Sequence, residues 1–457
     1  MTVAARETPR GIAAGIVSLA WPMFVSQLAG IGTHIADTVI AGHQATVDLA
    51  AVAVGGGLFV SVVIALIGVL QAASPIIAHH VGANRHEDIA PAFQQAVWLA
   101  LALSVPGALL LAFPDPLLAL SRLDPVVEAK ARAYLAALAW AVPCALLFRA
   151  FQALMNGIGH PRPVMVIMLA CLAVHVPLAW ALTTGVFGAP LGALGCGLST
   201  LAVNALSVLL GLGYLLRAGR MRTLRPFADW QAPRAWAQRD MLRLGGPMGV
   251  SNFVEITSFT LIALFVARLG PDVVGGHRVV ANLNGLCFML PLALGSGTLV
   301  RVGQAAGARD WTRARSTALT GFTLASGLAV LVGLALWALH EPVLTLFSSD
   351  TAVLAVARGL IPYVVLFVLV DAAHTLASFA LRGYKVTLAP MLVHTVCFWG
   401  VGLGLGAWLA FHGLEGVTAP MGAAGFWLAT LLSTALAGIL IGGLLLRVIR
   451  RTPPAQR

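Results

Sequence analysis

Long uncharged apolar stretches alternate with short polar segments along the whole chain. There are 26 uncharged residues between Arg10 and Asp37, 36 between Asp48 and Arg85, and 26 between Asp88 and Asp115. Another 54 lie between Arg162 and Arg217, room for two spans broken at the turn-forming Gly185–Pro190 region. About 20 apolar residues cross the hydrocarbon of a bilayer, and lipid demands that backbone groups be satisfied within the segment. Runs this long predict helices rather than barrel strands. The pattern places twelve of them, at 14–40, 50–74, 92–113, 131–156, 162–184, 191–217, 241–268, 276–303, 315–339, 355–382, 388–411 and 421–448. The expected class is an all-α polytopic membrane protein. The first apolar stretch is too long for a signal-peptide core and is read as helix one, retained.

Composition agrees with this class. The 457 residues are 59% apolar and 10% charged, with mean hydropathy +0.91, where a soluble domain carries about 25% charged residues. A net charge of +11 suggests a nucleic-acid partner until its distribution is read. With both termini in the cytoplasm, inner loops and tails hold 21 Lys/Arg and outer loops hold 6, while Arg149 lies within a helix. By the positive-inside rule both ends are cytoplasmic, and the Arg-rich run from Arg217 to Arg243 is a topology signal. No nucleic-acid partner is expected. Lys130 and Lys385 are the only lysines, a bias of GC-rich bacterial genomes, so the expected location is a bacterial inner membrane. Five scattered cysteines show no metal-ligand spacing and are read as packing residues.

Three acids break the pattern. Asp37, Glu255 and Asp371 lie deep in apolar stretches, whereas the other 14 of 17 fall in or beside polar segments. A carboxylate in hydrocarbon costs several kcal/mol unless it meets a cavity, a partner or an ion, so these three mark the working site of a cation transporter. Glu255 and Asp371 both fall near mid-helix. Two carboxylates in one low-dielectric site repel, so one holds a proton or both face a cation. They are the candidates for cation coupling, and the metal ligands if the ion is sodium, with Ser251 and Thr257 as further oxygen donors. Asp37 is a candidate proton carrier or substrate contact; the alternative is a residue near the outer interface, satisfied by water or a neighbouring Thr. Phe59, Phe253, Phe259, Phe288 and Phe379, with Asn282, are candidates by depth for a substrate cavity. His34, His175, His374 and His394 are read as helix-to-helix hydrogen-bonding groups, and His79-His80 with His86-Glu87-Asp88 as a solvated loop.

The chain also repeats. Pro22-Met23 recurs as Pro247-Met248, and Gly82-Ala83 as Gly307-Ala308, both at an offset of 225. Gly157 recurs as Gly383 at 226, Pro163 as Pro390 at 227, and Gly192-Ala193 as Gly422-Ala423 at 230. Six helices per repeat is an even number, so both halves enter the membrane with one orientation. The expectation is two six-helix lobes related by a pseudo-two-fold axis along the membrane normal, with substrate sites between them. The lobes are placed at 1–217 and 239–457, joined by an Arg-rich linker at 218–238.

These residues resemble a known family. Trp21-Pro22-Met23 with Asp37-Thr38-Val39-Ile40-Ala41-Gly42 is similar to helix 1 of the MATE (multidrug and toxic compound extrusion) transporters, NorM-type branch. So are Val254-Glu255, Gly295-Ser296-Gly297 with Val300-Arg301-Val302-Gly303, and Ala380-Leu381-Arg382-Gly383-Tyr384-Lys385. The resemblance runs from about residue 15 to 445 and places acids where that family has them. It implies a twelve-helix, two-lobe monomer that exports cationic, often aromatic drugs and dyes, driven by inward sodium or proton flow, with no other cofactor. Two positions depart from the pattern: Val186, before Phe187, stands where a lysine is common, and Phe288 where an aromatic hydroxyl is common. The second keeps a cation–π face but removes an oxygen ligand, so sodium and proton both stay open.

Rival classes leave weaker traces. A lipid-linked precursor flippase of a related fold needs basic residues lining its cavity, and only Arg149 is clearly inside a helix. HExxH, GxSxG and phosphate-loop motifs are all missing, which argues against an intramembrane enzyme or an ATP-driven pump.

Overall fold

The computed structural model describes residues 8–115, 118, 123–186, 188–413 and 419–451. The outer parts of the two basic tails and Phe187 lie outside the described residues.

Among the described residues, twelve helices are long and apolar enough to cross a membrane: α1 (Pro9–Gln44), α2 (Thr46–Gly82), α3 (His86–Ala112), α4 (Pro125–Gly157), α5 (Arg162–Thr184), α6 (Ala193–Arg217), α7 (Ala235–Leu269), α8 (Pro271–Gly307), α9 (Trp311–Phe347), α10 (Thr351–Gly383), α11 (Leu388–Phe411) and α12 (Ala423–Arg451). Among the described residues there is no strand. The segments expected at 162–184 and 388–411 match α5 and α11, and most others run several residues past their apolar windows. Helical hydrogen bonding does not stop where hydropathy does. Thus His79 and His80, expected in a loop, continue α2 as far as Gly82. Polar caps then set the ends. Asp310 accepts from the Arg313 amide at 2.9 Å, and Asp350 from the Ala352 amide at 2.8 Å, satisfying donors that a helix start leaves unpaired.

The internal repeat is written in the backbone. Asn84 and Arg309, 225 residues apart, adopt φ of 56° and 57°. Each follows a helix end closed by the same pair of bonds, Ala83 N–H to His79 O with Arg85 N–H to His80 O, and Ala308 N–H to Gln304 O with Asp310 N–H to Ala305 O. Gly192 and Gly422, 230 apart, share φ of 56° and 58°. Packing repeats as well. In the first half α4 packs on α2, α3 and α6; in the second, α10 packs on α8, α9 and α12.

Two compact units result. One comprises Pro22–Gly249, the other Met1–Trp21 with Val250–Arg457. The division falls inside α1 and α7, beside the matched Pro22 and Pro247, and not within 218–238. The first unit is cored by Leu135, Leu138, Leu146, Phe148 and Phe151, and also by Phe59, which is 6% exposed. Phe59 is a core residue rather than a cavity lining. The segment 218–238 belongs wholly to this unit and is strapped to α3. Gln94 donates to the carbonyls of Pro226 and Ala228, both at 3.1 Å, and Gln95 to that of Ala232 at 3.0 Å. Trp98 Nε1 donates to the Gln231 carbonyl at 2.9 Å. The second unit is cored around Phe426, Trp427, Val364 and Ile361.

Candidate functional site

Each unit carries an acidic cluster inside its helices. In the Pro22–Gly249 unit, Asp37 on α1 is 2% exposed and His175 on α5 is 1% exposed. His175 Nε2 stands 2.9 Å from Asp37 Oδ1, and Thr200 on α6 donates its hydroxyl to Asp37 Oδ2 at 3.2 Å. Three helices therefore converge on one carboxylate. Of the outer-interface alternative for Asp37, the Thr contact is present, but the residue is enclosed. One turn earlier on α1, His34 lies exposed.

A second acid in this unit escaped the sequence pattern. Asp48 sits in the first turn of α2, at the edge of an apolar run, yet it is 2% exposed. Lys130 Nζ reaches its two oxygens at 2.8 and 2.9 Å, and the Ala193 amide donates to Oδ1 at 2.8 Å. The available signal was Lys130 itself, one of only two lysines in the chain.

In the other unit, α10 presents Asp371, His374, Ser378 and Arg382 at positions i, i+3, i+7 and i+11, one face of a helix. All four are buried, at 6%, 3%, 3% and 8% exposure. His374 Nδ1 lies 3.7 Å from Asp371 Oδ1, and His374 Nε2 is 2.8 Å from Nε2 of the buried His394 on α11. One hydrogen must sit between those nitrogens. Ser378 Oγ is 3.4 Å from the same His394 nitrogen, and the His394 ring stacks on Phe398. Glu255 on α7, partly buried, lies within electrostatic reach of Asp371, His374 and Arg382. The two acids expected to share a site thus sense each other's charge.

Arg382 is the chief correction. It ends the expected segment 355–382 and its charge counts with the inner loops, but α10 continues to Gly383 and buries it. Its guanidinium lies 4.7 Å above the Phe379 ring and donates to Asn252 Oδ1 at 3.4 Å. Arg149, by contrast, is exposed and bonds its neighbour Gln152. Phe379, expected to line a substrate cavity, is 9% exposed and its ring face is taken by Arg382.

The remaining cavity candidates have separate partners. Phe253 is exposed and meets Trp399 edge-on at 6.3 Å, while Phe259 meets Phe367 at 6.2 Å. Phe259 also lines a cavity of ≈ 10 Å³ with His277 and Trp427, room for one water and far below the roughly 300 Å³ of a drug site. Asn282 is exposed and Phe288 half-buried on α8. Of the suggested oxygen donors, Ser251 is buried. The Thr257 hydroxyl donates to the Phe253 carbonyl at 2.6 Å and accepts from Trp399 Nε1 at 3.2 Å.

Comparison with known proteins accords with this arrangement. The sequence model of the MatE family matches residues 22–181 and 247–408, two stretches that begin at the repeated prolines. The chain is 51% identical over 455 residues to the probable multidrug resistance protein NorM of Aromatoleum aromaticum, covering 99% of this chain and 98% of that one. It is 38% identical over 442 residues to the probable multidrug resistance protein NorM of Chromobacterium violaceum, covering 95% and 94%. Among solved structures, the eukaryotic MATE transporter AtDTX14 superposes with a TM-score of 0.87 at 20% identity, covering 97% of this chain and 98% of that one. Twelve spanning helices, a two-fold repeat and homology along nearly the whole length place this chain in the MatE family of membrane transporters.

Proposed function

We propose that the chain is a secondary active multidrug exporter, expelling cationic, aromatic drugs and dyes in exchange for an inward-moving cation by alternating access. The reading rests on one observation, that each unit encloses carboxylates within spanning helices: Asp37 in one, Glu255 with Asp371 in the other. Incoming ion and outgoing drug must each favour a different arrangement of the protein, since equal preference shifts nothing. The names of the NorM relatives point the same way.

For the coupling ion, the proton is the better fit than sodium. A hard cation prefers a shell of oxygens, but the groups facing Glu255 and Asp371 include His374 and Arg382. Thr257 already makes two hydrogen bonds, and Phe288 brings no hydroxyl. One guanidinium against two carboxylates leaves charge for one further positive ion. The Lys/Arg distribution supports a bacterial inner membrane with both termini cytoplasmic, and the working form is taken as the monomer.

The test is ethidium efflux from proteoliposomes under an imposed proton or sodium gradient, for wild type, Glu255→Gln and Asp371→Asn. A proton gradient is expected to drive efflux, and each variant to lose it. Efflux driven by sodium alone would reverse the ion assignment. If neither gradient moves the dye and the variants match wild type, drug export fails and a lipid-linked precursor flippase becomes the leading reading.

A further inference from the structure

The pairing of Asp37 with a histidine carries a consequence for where a proton binds. Asp37 Oδ1 faces His175 Nε2 at 2.9 Å and Asp37 Oδ2 accepts from Thr200 at 3.2 Å. With His175 in its Nε2–H tautomer, both carboxylate oxygens are acceptors. A proton on Oδ1 would demand the other tautomer of His175, and one on Oδ2 would demand that the Thr200 hydroxyl turn from donor to acceptor. His175 Nδ1 is different, being buried and without a hydrogen-bond partner. A proton added there disturbs no existing bond, and its charge is met across the ring by Asp37.

We propose that His175 Nδ1 is the proton-binding atom of a buried Asp37–His175 pair, which takes up one proton while Asp37 stays ionised. This rests on the proton-antiport reading and on Asp37 being part of the coupling machinery. In the uptake step one N–H bond forms at Nδ1, and Nε2–H remains donated to Asp37; in release the Nδ1–H bond breaks and the proton leaves to water. The pair changes from net −1 to net 0.

The step also supplies a mechanical signal. The new Nδ1–H is a donor in an enclosed site with no acceptor, and an unmet buried donor is destabilising. Relief requires α5 to shift or an acceptor to enter, so proton occupancy is tied to helix position. The groups around the pair are His34 on α1, one turn from Asp37 and in electrostatic contact with both members, and Tyr134 on α4. On α6 Cys196 touches the Asp37 carbonyl at 3.9 Å, and on α2 the Asp48–Lys130 ion pair is the next charge. None of these contacts occupies Nδ1.

The experiment measures protons released when ethidium binds the purified full-length protein in weakly buffered detergent, and proton-driven efflux from proteoliposomes. It uses wild type, His175→Asn, His175→Gln and Asp37→Asn. An amide side chain can still donate to Asp37 but cannot take up a proton. Both His175 variants are expected to release fewer protons than wild type and to slow efflux at least tenfold while still binding the dye. If they release the proton and export like wild type, His175 only holds Asp37 in place and the proposal is overturned. If Asp37→Asn also keeps both activities, the role of Asp37 itself fails; if wild type releases no proton, the proton-antiport reading fails. Infrared difference spectra of wild type between low and high pH cover the case of misfolded variants. Imidazole bands are expected to change, and a protonated-carboxyl band absent from Asp37→Asn would overturn the proposal.

Discussion

Arg382 decides how much negative charge the second unit can tolerate. It lies 8% exposed, within electrostatic reach of Glu255. Removing one partner of a buried charged network costs about 3–5 kcal/mol, because the opposite charge is left uncompensated. Arg382→Met should therefore lower the melting temperature of the purified protein sharply, and Arg382→Met with Glu255→Gln should recover most of the loss. Asp48 gives a milder case because Lys130 is 40% exposed. Asp48→Asn should destabilise by ~1 kcal/mol and leave ethidium efflux near wild type, since a half-solvated lysine can turn to water. Just beyond α10, burial pushes the Tyr384 phenol up to about 12, against a smaller opposing pull from Arg315. A folded-state value above the ordinary one near 10 gives stability that is complete below pH 10 and is lost as pH rises toward 12. Melting scans over that range should show the loss in wild type and less of it in Tyr384→Phe.

At the scale of elements, the repeated crossings of α6 over α5 and of α12 over α11 are the tightest test of the fold. A Cβ on Gly195 would stand 2.7 Å from the Thr183 amide nitrogen, and one on Gly425 would stand 2.7 Å from that of Ala410. Backbone cannot yield as a side chain can. Gly195→Ala and Gly425→Ala should each cost ~1–3 kcal/mol, read as a fall in thermal stability. Gly443→Ala on α12 has nothing within 4 Å of the added carbon and should be neutral or slightly stabilising. Element positions were legible in the sequence, since lipid punishes any polar backbone and so makes apolar length a direct readout of a span. Their ends were less so. Arg382 and the His79-His80 pair look like loop residues by polarity, but caps and backbone bonding end a helix, not polarity.

For the whole molecule, the strap from α3 to residues 226–234 and the two helix breaks are the features to probe. Gln94→Ala with Gln95→Ala removes the donors that hold the segment, and trypsin should then cut after Arg234 faster than in wild type. The division into units runs beside Pro22 and Pro247, each inside a spanning helix where proline removes a backbone hydrogen bond. Replacing both by Ala should leave ethidium binding intact and slow efflux several-fold, a loss of motion and not of affinity.

By itself the sequence determined the twelve spans, the repeat with its offset of 225, and the three acids that have no business in hydrocarbon. Each follows from one-dimensional facts: the length of an apolar run, the spacing of Pro and Gly, the presence of a charge. Partners were decided only in three dimensions. Asp37 meets His175 across 138 residues, Lys130 meets Asp48 across 82, and His374 meets His394 across 20. Which face of α5 or α11 turns toward the acid depends on helix rotation and on close approach at small residues such as Gly195 and Gly425. No local pattern encodes that rotation, because it is the packing of the neighbouring helices that fixes it.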